Sequence, residues 1–136
     1  MSNNIVILLL GTNLGDKNSN LETAKNLINK EVGEILKFSN ILENEAVGFT
    51  SSNSFLNQKI EVSTSLSPLQ VLETVKKIEN LMGRIYTKPI EGENYVDRII
   101  DIDILLFNNI SLFSKDLIIP HSQIVTRGFV KELFFI

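Results

Sequence analysis

Two aspartates, Asp101 and Asp103, stand two residues apart in a segment rich in β-branched residues, Arg98 to Phe107. The two-residue alternation of this segment is typical of a strand and puts both carboxylates on one face. The other face carries four aliphatic side chains: Ile100, Ile102, Ile104 and Leu106. The two Cα atoms lie roughly 6.6 Å apart, so a hard cation between the carboxylates would relieve their repulsion. The pattern indicates either a metal site or a half-exposed strand whose acidic face is only solvated.

Basic side chains with a planar shape gather around this acidic strand. The three arginines of the chain all follow residue 83 and flank the strand together with the only histidine: Arg84, Arg98, Arg127 and His121. A guanidinium group suits bidentate binding of phosphate or carboxylate, which the point charge of lysine does not. Chance placement of three residues is the alternative. We interpret the arrangement as a site for an anionic ligand beside the acidic strand.

An aromatic ring and a carboxamide share one face of another predicted strand, which spans residues 53–65. Its alternation places Leu56, Ile60 and Val62 towards the core, and Phe55 and Asn57 on the opposite, polar face. An amide can donate and accept hydrogen bonds at the edge of a heterocycle, and a ring can stack on its plane. Ordinary packing and an ordinary surface amide are the alternative interpretation of this pair.

The composition limits the class of protein. With 136 residues, of which 43% are hydrophobic and 21% charged, the chain is expected to form a single domain over residues 1–136. It has no cysteine, no apolar run long enough to cross a bilayer and no signal segment, so we expect a cytoplasmic monomer without disulfides or membrane contact. A net charge of −3 argues against a nucleic-acid partner.

The remaining elements follow from periodicity and capping signals. Residues 5–10 form a near-continuous apolar run, which predicts a central strand buried on both faces. A helix then begins at Asp16, or at a Ser19–Glu22 capping box, and runs to about Lys30. The further predicted elements are a strand over 34–44, the strand over 53–65, a helix from Ser67 to Gly83, the acidic strand, a turn at 108–109, an edge strand over 117–119 and a terminal helix near 130–134.

Several features of these elements bear on a site. The second helix should bury Leu69, Leu72, Val75, Ile78 and Met82. Glu79 lies near its C-terminal end, where the helix dipole disfavours a carboxylate, so either a function or an ion pair with Arg84 should account for it. The connectors over 45–52 and 86–97 are long and polar, which predicts mobile loops beside the site.

The order strand, helix, strand, strand, helix, strand predicts an α+β fold of the ferredoxin-like β-α-β-β-α-β type with a short C-terminal extension. Both helices then cover one face of a mainly antiparallel sheet, and the other face is available to ligands. Two other functions share this topology: a non-catalytic small-molecule-binding domain and an RNA-binding module. The acidic pair on the sheet counts against RNA.

With these motifs in view, the chain resembles the 6-hydroxymethyl-7,8-dihydropterin pyrophosphokinase family of folate biosynthesis. The resemblance rests on Leu10-Gly11-Thr12-Asn13-Leu14-Gly15-Asp16, Phe55-Leu56-Asn57, Glu79 with Gly83-Arg84, Arg98 to Leu105, and Pro120-His121 with Arg127-Gly128-Phe129. It implies a diphosphokinase that moves the diphosphoryl group of ATP onto a pterin alcohol and releases AMP.

The resemblance also implies roles for individual residues. Asp101 and Asp103 would hold two Mg²⁺ ions that bridge the ATP phosphates. The residues matching triphosphate contacts are Arg84, Arg98, His121 and Arg127, and the nucleotide would also lie near Glu79 and the backbone of Ile104. The matching pterin residues are Phe55 and Phe129 as a ring sandwich, Asn57 at the pterin edge, and Asn44 and Val47 as backbone contacts.

Overall fold

A computed structural model describes residues 3–44, 54–84 and 99–121 of the chain. Their helices and strands are β1 (Asn4–Thr12), α1 (Lys17–Glu31), β2 (Gly33–Phe38), β3 (Leu42–Asn44), β4 (Phe55–Thr64), α2 (Pro68–Leu81), β5 (Asp101–Phe107), β6 (Leu112–Phe113) and β7 (Ile118–Ile119). The loops predicted over 45–52 and 86–97 and the helix predicted near 130–134 lie outside the described residues. Within them, no helix is long and apolar enough to cross a bilayer.

The main sheet has the strand order β2-β4-β1-β5, and β3 also pairs with β4. The pairs β1–β4, β1–β5, β2–β4 and β3–β4 are all antiparallel. Strands β6 and β7 form a separate antiparallel hairpin. This is the order expected when two right-handed strand–helix–strand units interleave, so the predicted ferredoxin-like fold is confirmed.

The first strand is central, as its apolar run predicts. Val6, Leu8 and Leu10 are fully buried in the main core, which the two helices complete through residues such as Ile28 and Val75. On the other face of the sheet, Leu9 and Leu105 form a second, small apolar cluster. A strand that is apolar on both faces therefore separates the main core from the sheet face that carries the acidic pair.

Capping chemistry sets the ends of both helices. Asp16 caps α1, and its side chain accepts a hydrogen bond from the Ser19 backbone N–H, whereas Ser19 lies inside the helix. Helix α2 begins with the predicted capping box, in which Ser67 and Gln70 each bond the other's backbone N–H. Gly83 ends α2 with a φ of +93°, a conformation that costs glycine least.

The prediction of one continuous strand over residues 34–44 is wrong, because this segment forms two strands, β2 and β3. After Phe38 the chain leaves the sheet at Ser39 and returns as β3. Ser39 Oγ accepts from the Lys59 backbone N–H, and the Ser39 carbonyl accepts from Nε2 of Gln58, whose side chain is buried on the core face of β4. These bonds satisfy the backbone at the interruption.

Two predicted core positions are also corrected. Leu105 is an extra residue in β5 between the pairs Leu8–Ile104 and Ile7–Leu106, so Phe107 enters the core where alternation placed Leu106. In α2, Val71 is buried and Leu69 is 54% exposed. Leu69 lies in the first turn of α2.

We predict that Gly33→Ala destabilises the fold, because a Cβ at this position would lie 1.9 Å from the Ser63 backbone oxygen in the β2–β4 pair. Such overpacking against backbone should lower the free energy of unfolding by about 1–3 kcal/mol. Urea denaturation followed by circular dichroism measures the loss. The control is Glu34→Ala at the exposed neighbouring position. Equal stability of the two variants would contradict the prediction.

Candidate active site

One cross-strand row links the two groups of residues singled out in the sequence. Gly11 of β1 pairs with Asn57 of β4 on one side and with Asp101 of β5 on the other. Directly paired residues lie on the same sheet face. Neighbouring strands are about 4.8 Å apart, so Asn57 and Asp101 lie roughly 10 Å apart. The amide and the acidic pair thus occupy one continuous surface, opposite the helices.

The lack of a side chain at Gly11 leaves room for the neighbouring side chains of this row. A Cβ at Gly11 would lie 3.1 Å from Oδ1 of Asn57 and 3.8 Å from Cδ1 of Phe55. Asn57 is only 5% exposed, so it is not the ordinary surface amide considered above. Phe55 is half-buried and pairs in register with Asn44 of β3. The ring and the amide therefore border a gap that any side chain at Gly11 would narrow.

The acidic pair lies on this face, as the alternation predicts. Asp101 and Asp103 are half-buried, and Asp103 pairs with Leu9 as Asp101 pairs with Gly11. Ile102 and Ile104 point into the main core between the helices and the sheet. The strand therefore anchors its apolar face in the core and holds both carboxylates at the edge of the sheet.

Glu79 and Arg84 join α2 to the start of the acidic strand. Arg84 Nη1 donates to Glu79 Oε2 at 2.6 Å and to Asp101 Oδ1 at 2.8 Å. The same Glu79 oxygen accepts from the Ile102 backbone N–H at 2.8 Å. Glu79 is only 2% exposed, and a buried carboxylate needs such partners. The ion pair with Arg84 offsets the unfavourable end of the helix dipole, as one of the two predicted explanations states.

The end of α2 places Arg84 for this contact. The Arg84 backbone N–H donates to the Glu79 carbonyl at 3.0 Å, and the Gly83 N–H donates to the Asn80 carbonyl at 3.0 Å. These two bonds form a Schellman motif, which reverses the chain over the last turn of the helix. The side chain of Arg84 consequently returns beside Glu79, five residues earlier.

A cavity of about 250 Å³ lies along the β5 edge of the sheet. Six of its lining residues were predicted site residues: Glu79, Arg84, Asp101, Asp103, Ile104 and His121. Five lining residues were not predicted as site residues: Leu72, Lys76, Ile102, Asp116 and Leu117. Leu72, Lys76 and Glu79 recur at i, i+4 and i+7 of α2, so their shared helix face was the available signal for Lys76. No sequence pattern marked Asp116 as a site residue. It lies between β6 and β7, and only the folding of this hairpin brings it to the cavity.

The backbone at this edge also faces the cavity. The Ile102 N–H points to Glu79 rather than to β1. Because N–H groups alternate in direction along a strand, the Ile104 N–H points to the same side. The His121 N–H donates to the Leu105 carbonyl at 3.0 Å, which fixes the chain after β7 against the far end of β5. Strand β5 therefore turns the Ile104 N–H as well as its two carboxylates to the cavity side.

A lysine occupies the next row of the same sheet face. Lys59 pairs with Leu9, which in turn pairs with Asp103. Burial lowers the pKa of Lys59 and the nearby Lys37 lowers it further, while Glu61 acts in the opposite direction. Lys59 does not line the cavity at the β5 edge. Its side chain instead lines a smaller recess with Lys37 and Phe38, towards β2.

The side chains at this site can hold a hard cation only if a bound ligand supplies further oxygen atoms. Across residues 3–44, 54–84 and 99–121, no group of three or more histidine or acidic side chains is placed to hold a metal ion. Magnesium, however, is commonly held by one or two carboxylates with phosphate oxygens and water. Asp101 and Asp103 fit that requirement. Four predicted site residues, Val47, Arg98, Arg127 and Phe129, lie outside the described residues, as does the side chain of Asn44.

Comparison with known proteins identifies the family of the chain. Residues 7–135 match the family model of 7,8-dihydro-6-hydroxymethylpterin-pyrophosphokinase (HPPK). The chain is similar to the 2-amino-4-hydroxy-6-hydroxymethyldihydropteridine pyrophosphokinase of Bacillus subtilis, with 37% identity over 129 residues that cover 94% of this chain and 74% of the relative. It is 40% identical to that of Porphyromonas gingivalis over 128 residues, which cover 93% of this chain and 86% of the relative.

Solved structures show the same fold. A Plasmodium falciparum HPPK-DHPS variant superposes with a TM-score of 0.70 at 21% identity, over 95% of this chain and 37% of that one. The chain therefore belongs to the 7,8-dihydro-6-hydroxymethylpterin-pyrophosphokinase family and is an ATP-dependent pyrophosphokinase of folate biosynthesis.

Proposed function

We propose that this chain moves the diphosphoryl group of ATP onto the hydroxymethyl oxygen of 6-hydroxymethyl-7,8-dihydropterin on the sheet face opposite the helices, and that AMP leaves. The observation that carries this assignment is the row Asn57–Gly11–Asp101, which places an aromatic-and-amide pair and a carboxylate pair on one face of the sheet. A pterin at one end and a triphosphate at the other would meet over Gly11. Holding two reactants in this way supplies much of the rate of such a transfer.

The phosphates belong at the β5 edge in this proposal. Arg84 and His121 line the cavity there, and Arg98 and Arg127 are assigned to the same triphosphate by the family resemblance. Positive groups aimed at the transferring phosphoryl group stabilise the charge of the transition state. We assign Arg84 and Arg98 to this catalytic role and Arg127 and His121 to binding.

Asp101 and Asp103 are the residues that would hold magnesium, and we propose two ions. When bound, magnesium neutralises phosphate charge and fixes the triphosphate for in-line attack. Arg84 already holds Oδ1 of Asp101, which orients that carboxylate before any ligand arrives. Glu79 acts through Arg84 and the Ile102 N–H, so we regard it as a positioning residue next to the nucleotide.

The direction of β5 indicates where the nucleoside of ATP would bind. Ile104 directly follows Asp103 and lies two residues past Ile102, so its N–H points to the cavity side of the strand. An adenine edge needs a donor and an acceptor, which a strand edge can supply. We therefore assign the backbone of Ile104 to the base, next to the apolar lining of Leu72 and Leu117.

The pterin belongs on the β4 side of Gly11. Asn57 is buried with its amide towards Gly11, and the Phe55 ring lies beside the same gap. Amide groups can read a heterocycle edge, and rings can stack on its plane. By family resemblance we add Phe129 as the second ring, with backbone contacts from Asn44 and Val47.

The chemistry needs no covalent enzyme intermediate. The chain has no cysteine, and its single histidine lines the cavity, where we assign it to phosphate binding. Asn57 and Phe55 offer no strong general base. Direct in-line attack at the β-phosphorus, assisted by positioning and charge neutralisation, is the simplest mechanism. We propose that residues 1–136 perform it as one domain and as a monomer.

The site of attack can be tested with labelled ATP. Attack at the β-phosphorus releases AMP, whereas attack at the γ-phosphorus releases ADP. We expect label in the β-phosphate to move wholly to the pterin product, with AMP formed in equal amount, when the protein is incubated with ATP, Mg²⁺ and the pterin alcohol. Chromatography of the products measures both. ADP as the first nucleotide product would refute the assignment.

The role of Asp103 can be tested with Asp103→Asn. The amide keeps the shape and removes the charge that would hold magnesium, so turnover should fall on the order of 100-fold or more while the melting temperature changes little. Steady-state rates over a range of Mg²⁺ concentrations measure the effect. Glu61→Gln, on the same sheet face in β4 and away from the cavity, is the matched control. Near-normal, Mg²⁺-dependent turnover of Asp103→Asn would refute the assignment of Asp103 as a magnesium ligand.

A further inference from the structure

One wall of the cavity at the β5 edge carries a charged group that the roles above leave unused. Asp116 lines this wall beside Leu117, and Leu72 and Lys76 of α2 contribute to the same cavity. Asp116 belongs neither to the acidic strand nor to α2. It lies between β6 and β7, so the hairpin brings a carboxylate to the cavity from a separate part of the chain.

The turn around Asp116 is firmly held. The Ser114 N–H donates to the Leu117 carbonyl at 3.0 Å, and the Leu117 N–H donates to Ser114 Oγ at 3.1 Å. Leu117 is 7% exposed and packs in the main core. The residues on both sides of Asp116 are therefore tied together, and one of them is anchored. These bonds fix the backbone that carries Asp116, and the Asp116 side chain itself is exposed and accessible to a ligand in the cavity.

The hydrogen-bonding needs of a nucleotide indicate what this carboxylate would bind, on the basis of the function proposed above. In that proposal the phosphates bind at Asp101 and Asp103, and the base edge meets the backbone of Ile104. The ribose joins phosphate to base and carries two neighbouring hydroxyl groups, which are donors. A carboxylate only accepts and can take both donors at once, as acidic residues do for the ribose of dinucleotides.

We propose that Asp116 accepts hydrogen bonds from the 2′- and 3′-hydroxyl groups of the ATP ribose and thereby makes the enzyme select ribonucleotides over deoxyribonucleotides. Loss of a hydrogen bond to a charged group weakens binding on the order of tenfold or more. Asp116 contributes binding and specificity in this scheme and does not touch the reacting phosphorus.

The test compares kcat/KM for ATP, 2′-deoxyATP and 3′-deoxyATP. We expect the wild-type protein to prefer ATP over each deoxy analogue by on the order of tenfold or more. Asp116→Ala should lower kcat/KM for ATP by a similar factor and use all three nucleotides about equally. Lys115→Ala removes the exposed neighbour in the same turn, which does not line the cavity, and should keep the wild-type preference.

A fourth nucleotide separates the ribose from the base. Purine riboside triphosphate lacks the 6-amino group of ATP, and wild type and Asp116→Ala should discriminate against it equally. An unchanged preference for ATP over the deoxy analogues in Asp116→Ala would overturn the proposal, and so would a loss of discrimination confined to the purine analogue. If Asp116→Ala does not fold, Asp116→Asn decides in the same assays. Its preference for ATP over the deoxy analogues should be weaker than that of the wild-type protein, because the amide has no charge. A wild-type protein without pyrophosphokinase activity would instead reject the function proposed above.

Discussion

A buried ion pair between Glu79 and Arg84 connects α2 to the acidic strand, and the candidate site depends on it. Glu79 is nearly inaccessible to solvent and shares one oxygen between the Arg84 guanidinium and the Ile102 backbone N–H. Removing either partner would leave a charge with insufficient compensation, which typically costs about 3–5 kcal/mol in a buried pair. Because Arg84 also binds Asp101, the interaction that satisfies the helix end also orients the first carboxylate of the site.

Successive side chains of a strand point to opposite faces, so one face of the sheet packs in the core and the other carries the candidate site. Most side chains of β1 and β5 that face the helices are apolar and buried, and they make up much of the core. The other face carries the acidic pair, the amide of Asn57 and Gly11. A slip of one residue in either strand would exchange these two faces. The register of β1 with its two neighbours is thus a requirement of stability and of the proposed function together.

Much of this architecture follows from local signals in the sequence. The capping residues Ser67 and Gln70, the glycine at position 83 and the alternation in β4 and β5 act within a few residues, so they could be predicted. The extra residue Leu105 could not, because a bulge depends on how β5 twists against β1. Likewise, the interruption at Ser39 depends on Gln58 from another strand.

The candidate site divides in the same way. Asp101, Asp103, Arg84 and Glu79 stand out by residue type and spacing, and the structure brings them together at one cavity. The close approach of Asn57 and Phe55 to Gly11 becomes visible only when the strands are paired. Asp116 reaches the cavity through the β6–β7 hairpin, a contact between segments that no local pattern specifies.

The central claim is that a metal–nucleotide complex binds on the sheet face between Gly11 and the acidic pair. Paramagnetic broadening of amide resonances by Mn²⁺, bound with a nonhydrolysable ATP analogue in place of Mg²⁺ and ATP, tests this claim without relying on turnover. The account predicts the strongest broadening at Gly11 and at residues 101–103, with little effect at Lys37 on the far edge of the sheet. Broadening centred on β2, or equal broadening along the whole sheet, would contradict it.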